Sequence, residues 1–150
     1  MLGLVHELAE YERATRFELT SELLHEALFG PAPILSAHVA EADGELVGIA
    51  LWYLTFPSYI GRPGIYLEDL YVRPTRRGSG LGKALLSALA AECVRQGYSR
   101  LQWSVLNWNT SAIDFYNSLG ATPDDDQTHF GLAGDALTAL AHGAPGGTGV

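Results

Sequence analysis

The stretch Leu67-Glu68-Asp69-Leu70-Tyr71-Val72-Arg73-Pro74-Thr75-Arg76-Arg77-Gly78-Ser79-Gly80-Leu81-Gly82-Lys83-Ala84 decides the fold. An apolar run from Ile65 to Val72 predicts a strand, Pro74 stops it, and a basic, glycine-dense turn opens into a helix predicted to begin near Leu81. Such a turn suits an anion. The first N–H groups of a helix lack intrahelical acceptors and the macrodipole is positive there, so the main chain can hydrogen-bond a phosphate.

Two phosphate loops are excluded by position. A Walker A loop requires Gly at 77 and Ser or Thr at 84, where Arg77 and Ala84 stand. A dinucleotide fingerprint starting at Gly78 requires a third glycine at the place of Lys83. What remains is the spacing Arg77-x-x-Gly80-x-Gly82, between a strand and a helix.

The chain of 150 residues, 47% of them hydrophobic, fits one globular domain, predicted over 1–142, with 143–150 as a Gly-rich disordered tail. No apolar run is long enough to span a bilayer, and no charged-then-apolar signal segment follows Met1. Together with the single cysteine, Cys93, this points to a reducing, cytoplasmic setting. Cys93 continues the Leu81, Leu85, Leu89 spacing and is read as core. The five histidines show no ligand spacing, so no metal is expected. A net charge of −8 argues against nucleic acid or an anionic membrane as partner. The charge is uneven: Arg73, Arg76, Arg77 and Lys83 cluster at the turn, whereas six glutamates fall between Glu7 and Glu26. One region suits a polyanion, the other a cation.

In chain order, helices are predicted over Leu2–Arg13, Thr20–Leu28, Leu81–Gln96, Thr110–Leu119 and Asp135–Ala141. Strands are predicted over Ile34–Glu41, Leu46–Thr55, Ile65–Val72, Arg100–Leu106 and Thr128–Leu132, with Asp43-Gly44 as a hairpin signal. Interleaved in this way, they give a three-layer α/β domain with a mixed central sheet.

Four segments carry a resemblance: Glu7-Leu8-Ala9-Glu10-Tyr11-Glu12, Tyr66-Leu67-Glu68-Asp69-Leu70, Arg77-x-x-Gly80-x-Gly82, and Trp108-Asn109-x-x-Ala112-Ile113-x-Phe115-Tyr116-x-x-x-Gly120-Ala121. In order and spacing they resemble the GNAT superfamily of N-acetyltransferases, in the branch of the diamine (spermidine/spermine) and thialysine acetyltransferases. The resemblance implies the GNAT fold with a splayed sheet, a homodimer, and transfer of an acetyl group from acetyl-coenzyme A to a primary amine. The family's first strand has no counterpart, because Met1 matches a position within the first helix. Gln127 and Gly131 stand where relatives carry Trp and Arg on the amine side.

The resemblance also assigns roles. Arg77, Gly78, Ser79, Gly80, Leu81, Gly82 and Lys83 are expected to hold the cofactor pyrophosphate, and Leu70, Tyr71 and Val72 its pantetheine arm. Asn109, Ser111 and Tyr116 are further cofactor contacts. Tyr11, Glu12, Glu68 and Asp69 are expected around the amine. An alkyl amine of pKa about 10.4 attacks only when neutral, so a base is required. Glu68 and Asp69 are adjacent and point to opposite faces of a regular strand, unless a bulge turns the backbone. The resemblance favours Glu68 as base, Asp69 as a holder of the cation, and Tyr116 as proton donor to the leaving thiolate. Read from the residues alone, the carboxylates are equally surface groups and Tyr116 a core residue. A domain that binds acetyl-coenzyme A without catalysis, and a GNAT enzyme acting on an amino acid or a protein amine, stay open as alternatives.

Overall fold

The computed structural model describes residues 1–124 and 126–143, in two compact units that meet in sequence between Trp108 and Asn109. The first unit contains α1 (Leu2–Tyr11), α2 (Ser21–Phe29), β1 (Ser36–Ala42), β2 (Glu45–Thr55), β3 (Gly64–Val72), a 3-10 turn (Pro74–Arg76), α3 (Leu81–Gln96) and β4 (Leu101–Gln102). The second contains α4 (Thr110–Ser118) and α5 (Gly134–His142).

The four strands lie in sequence order, with β1, β2 and β3 antiparallel and β4 parallel to β3. Asp43 and Gly44 both have positive φ, 54° and 79°, which is the twist a two-residue hairpin between β1 and β2 requires. β2 is buried along Val47–Leu51, as expected of a strand covered on both faces. Its odd residues Ile49 and Leu51 join Tyr71 of β3 in one cluster with Leu4, Val5 and Leu8 of α1 and Leu24 and Leu28 of α2. Side chains alternate across a strand, so Ala50 and Trp52 look to the other face. There His38 of β1 accepts a hydrogen bond from Trp52 Nε1 at 3.0 Å and acts electrostatically on Glu92 of α3.

Thr20 caps α2 by accepting from the Leu23 N–H at 3.2 Å, and α3 stops at Gly97, φ 69°. α1 ends more abruptly than its pattern predicts. Arg13 takes φ 58°, its N–H bonds Glu10 O (3.1 Å), and the Ala14 N–H bonds Ala9 O (2.9 Å). This is a Schellman end with arginine where glycine is usual, and the left-handed conformation costs about 1 kcal/mol.

Two strand expectations are corrected. Arg100–Leu106 is reduced to Leu101–Gln102, because the chain pairs with β3 only at Ile65↔Leu101 and Tyr66↔Gln102 before diverging. Thr128–Leu132 forms no strand: the segment is exposed throughout, with Phe130 at 95%, and so has no buried face to hold it. Of the expected tail, 143–150, residues 144–150 lie outside the described residues.

Candidate active site

The two neighbouring carboxylates sit on a bulge. Leu51 pairs with Asp69 and Trp52 with Leu67, which leaves Glu68 as the extra residue on β3. Tyr66 is paired with Tyr53, so alternation puts Tyr66 and Glu68 on the face of Tyr53, Leu51 and Ile49. The extra residue returns Asp69 to that same face, opposite Leu51 and two residues before Tyr71. The condition under which both carboxylates share one side is therefore met. Burial, then the Glu68 charge, then the Glu12 charge push the Asp69 carboxyl up to about 6. Burial also raises the Glu12 carboxyl at the end of α1. Glu12, Glu68 and Asp69 form no ion pair among the described residues. Tyr53, raised by burial and by Glu68, and Tyr66, whose hydroxyl lies 3.2 Å from Ser104 Oγ, border Glu68.

Beside this cluster runs a chain of cation–ring and ring–ring contacts. The Arg77 guanidinium lies 4.9 Å from the Tyr11 ring and 5.7 Å from the Tyr71 ring. Tyr11 in turn makes a tilted ring contact with Trp108, centroids 5.8 Å apart, over which Arg13 sits at 5.3 Å. Arg77 Nε also donates to Val72 O at 3.1 Å.

The glycine turn is built from the backbone. Gly78 (φ 76°) and Gly80 (φ 84°) take the left-handed conformation, and a Cβ built on either meets nothing within 4 Å. Gly80 is the N-cap of the 16-residue α3 and offers no capping side chain, so the first N–H groups of the helix are left for an outside acceptor. Ser79 Oγ donates to Arg76 O and braces the turn. The turn's positive charge is smaller than the count of basic residues suggests. Arg73 is bound to Glu7 (3.0 Å) and Glu45 (3.8 Å), and Arg76 to Asp43. Lys83 is exposed.

Between turn and bulge lies an open strand edge. The Arg73 N–H bonds Val47 O at 2.9 Å, so by antiparallel alternation Tyr71 and Asp69 bond β2, while Leu70 and Val72 direct their N–H and C=O groups away from it. β4 has already diverged after Gln102. Leu70 therefore offers its N–H and C=O at the splay and Val72 its N–H, the Val72 C=O being taken by Arg77 Nε, whereas the Tyr71 side chain belongs to the core.

In the second unit, Asn109 is buried and its Oδ1 accepts from the Ala112 N–H at 3.3 Å, capping α4. Ser111 is exposed on the first turn, and Tyr116 is half-buried with its ring 5.3 Å from Phe115. Gln127 and Gly131 lie in an exposed segment without regular structure.

Sequence spacing assigned Arg77 to the phosphate turn and gave no sign of its stacking. That required knowing where α1 ends, and the residue ending it carries no glycine signal.

The profile described as "Acetyltransferase (GNAT) family" matches residues 2–121. The thialysine N-epsilon-acetyltransferase of Bos taurus is 37% identical over 153 residues, covering 94% of this chain and 89% of that protein. The spermidine/spermine N(1)-acetyltransferase-like protein 1 of Homo sapiens is 33% identical, covering 81% of this chain and 18% of that protein. Among solved structures, an integron cassette protein from the mobile metagenome of V. cholerae superposes with TM-score 0.80 at 25% identity, covering 93% of this chain and 88% of that one. The chain thus belongs to the acetyltransferase (GNAT) family, as an N-acetyltransferase similar to the thialysine and spermidine/spermine enzymes.

Proposed function

We propose that this enzyme acetylates a primary amine of a small cationic acceptor, a diamine, polyamine or lysine-like amine, using acetyl-coenzyme A. The observation that carries the reading is the group Glu12, Glu68 and Asp69: Glu68 and Asp69 share one face of the bulge, Asp69 feels the charges of both Glu68 and Glu12, and no cation pairs with any of the three among the described residues. Like charges held together and partly buried are unfavourable unless a cation joins them. A second ammonium on the acceptor meets that need.

The open space over Gly78 and Gly80, the free N-terminus of α3 and the open strand edge at Leu70 and the Val72 N–H fit a long phosphorylated cofactor. The backbone from Arg77 to Lys83 would hold its pyrophosphate, with Asn109 and Ser111 as further contacts. Bound there, acetyl-coenzyme A supplies the acyl group as a thioester. Glu68, exposed at the bulge, takes a proton from the acceptor's ammonium through a water, leaving the neutral amine to attack the thioester, while Glu12 and Asp69 hold the acceptor's remaining charge. Asp69, with its carboxyl pushed up to about 6, also exchanges protons close to neutral pH. Tyr116 holds a phenol proton for the departing sulfur. Phenol near 10 against thiol near 8.5 makes that transfer mildly uphill, so the hydrogen bond must be formed in advance.

A panel of acceptors tests the reading: thialysine, lysine, ornithine, spermidine and short diamines against tyramine, neutral amines and N-acylated controls. Preference for acceptors with a second positive charge is expected. Acetylation confined to neutral or anionic acceptors refutes it, and stoichiometric binding of acetyl-coenzyme A without turnover of any amine favours the non-catalytic alternative. The homodimer is checked by light scattering, where a monomer with full activity counts against it.

A further inference from the structure

Arg77 opens the Arg-x-x-Gly-x-Gly turn, yet its side chain is directed elsewhere. The guanidinium lies over Tyr11 at 4.9 Å and Tyr71 at 5.7 Å, and its Nε donates to Val72 O at 3.1 Å. Tyr11 is the last residue of α1 and precedes Glu12; Tyr71 lies two residues from Asp69 on the same strand face. The side chain thus joins the end of α1 to β3 on the carboxylate side of the turn. That helix end needs holding. Its last turn closes through Arg13 in a left-handed conformation, and beyond it the chain runs exposed to Glu18. Tyr11 contacts Arg77 and Trp108, and Arg13 clamps Trp108.

We infer that Arg77 is a positioning residue for the acceptor: by stacking on Tyr11 and bonding Val72 O, it fixes Glu12 relative to Glu68 and Asp69. The pyrophosphate is left to the backbone of the turn. A flat guanidinium meets the geometry, since it presents a face to a ring while its edge donates in plane, which an ammonium cannot do. The inference rests on the reading of Glu12, Glu68 and Asp69 as the acceptor side.

Four variants of the full chain, Arg77→Met, Arg77→Lys, Tyr11→Leu and the Arg77→Met/Tyr11→Leu double, separate the possibilities. The acceptor is first fixed on the wild-type enzyme, so a failure to acetylate any cationic amine overturns the functional reading alone. With that acceptor, Arg77→Met is expected to raise its KM about threefold to tenfold, the range of one or two cation–π contacts, with kcat reduced less. The calorimetric dissociation constant of acetyl-coenzyme A stays within about twofold. Arg77→Lys shows an intermediate rise in acceptor KM, Tyr11→Leu raises it at least as much as Arg77→Met, since it also removes the ring contact with Trp108, and the double variant falls well short of the product of the two singles, because they share the Arg77–Tyr11 contact. A tenfold or greater weakening of acetyl-coenzyme A binding by Arg77→Met, or by Arg77→Lys should the Met variant not fold, overturns the inference. So does an acceptor KM that stays at the wild-type value, or additive losses in the double variant.

Discussion

The two ends of β3 bind opposite charges by different means. At the bulge the side chains of Glu68 and Asp69 are the recognising groups, crowded with Glu12 and unpaired among the described residues. At the turn after Val72 the side chains are occupied: Arg73 by Glu7 and Glu45, Arg76 by Asp43, Arg77 by Tyr11, Tyr71 and Val72 O. What the turn presents is backbone, shaped by Gly78 and Gly80 and the start of α3. A side-chain site can be strengthened or lost by changing charge. A backbone site is indifferent to charge and is lost when a Cβ fills it.

The largest effect is expected from the side-chain end. Replacing both carboxylates, Glu68→Gln with Asp69→Asn, removes the base and its neighbour and is expected to lower turnover about a hundredfold to ten-thousandfold, the usual range for general base catalysis. Acetyl-coenzyme A affinity, measured by calorimetry, stays within about twofold. Loss of cofactor affinity in step with turnover would mean that the two ends are not separate. Next in size is the backbone end. Gly80→Val places a branched side chain at φ 84° in the space above the turn. It is expected to weaken acetyl-coenzyme A by about a hundredfold, on the order of 3 kcal/mol, and to lower stability by about 1–2 kcal/mol from the left-handed backbone. Unchanged cofactor binding in a folded Gly80→Val variant refutes the backbone site.

The turn and the helix after it were legible because they depend on short-range chemistry: Pro74, the glycines and the apolar spacing of α3 act within a few residues. The Asp43-Gly44 hairpin was legible for the same reason, whereas Thr20, read as the first residue of α2, is its N-cap. The bulge was foreseen only as a condition, since whether β3 carries an extra residue depends on its register with β2, which no residue in β3 announces. The α1 partners of Arg73 and Arg77, Glu7 and Tyr11, were not legible, being 66 residues away in both cases. A cluster of basic residues in sequence therefore reads as an anion site even when half of it holds the fold together. The weak second unit has a different cause. Apart from Asn109 it buries no residue fully among those described, so Thr128–Leu132 carried strand-forming residues with no surface to pack on.

A smaller effect sharpens the contrast. Arg76 is paired with Asp43 of the hairpin, so Arg76→Gln is expected to change acetyl-coenzyme A affinity less than about threefold, in keeping with the small worth of an exposed ion pair. Lys83→Gln, at the free helix start, is expected to cost more than Arg76→Gln and to reduce the salt dependence of binding. If Arg76→Gln matches Gly80→Val in its effect, the turn recognises phosphate through side-chain charge after all.

The last effect concerns stability rather than binding. The Asp69 carboxyl is pushed from its ordinary value of 3.8 up to about 6, first by burial and then by Glu68 and Glu12. A carboxyl with a raised folded-state pKa favours the native state while both states are protonated, and this contribution is lost as pH rises from about 4 through about 6. Above that range the folded chain carries an ionised group it disfavours. Asp69→Asn cannot ionise, so the variant is expected to gain stability over wild type at pH 7.5, by on the order of 1–3 kcal/mol, relative to its difference at pH 3.5. Comparing the same two proteins at two pH values cancels any change in packing or hydrogen bonding that the carboxamide brings. Thermal melts at both values read the difference directly. A saturating cationic acceptor should then stabilise wild type more than the variant, because the ionised Asp69 gains a partner only in the wild-type complex. An Asp69→Asn difference that is the same at both pH values would show that the carboxylate already has its cation within the chain, and the side-chain end of β3 would lose its claim to be waiting for one.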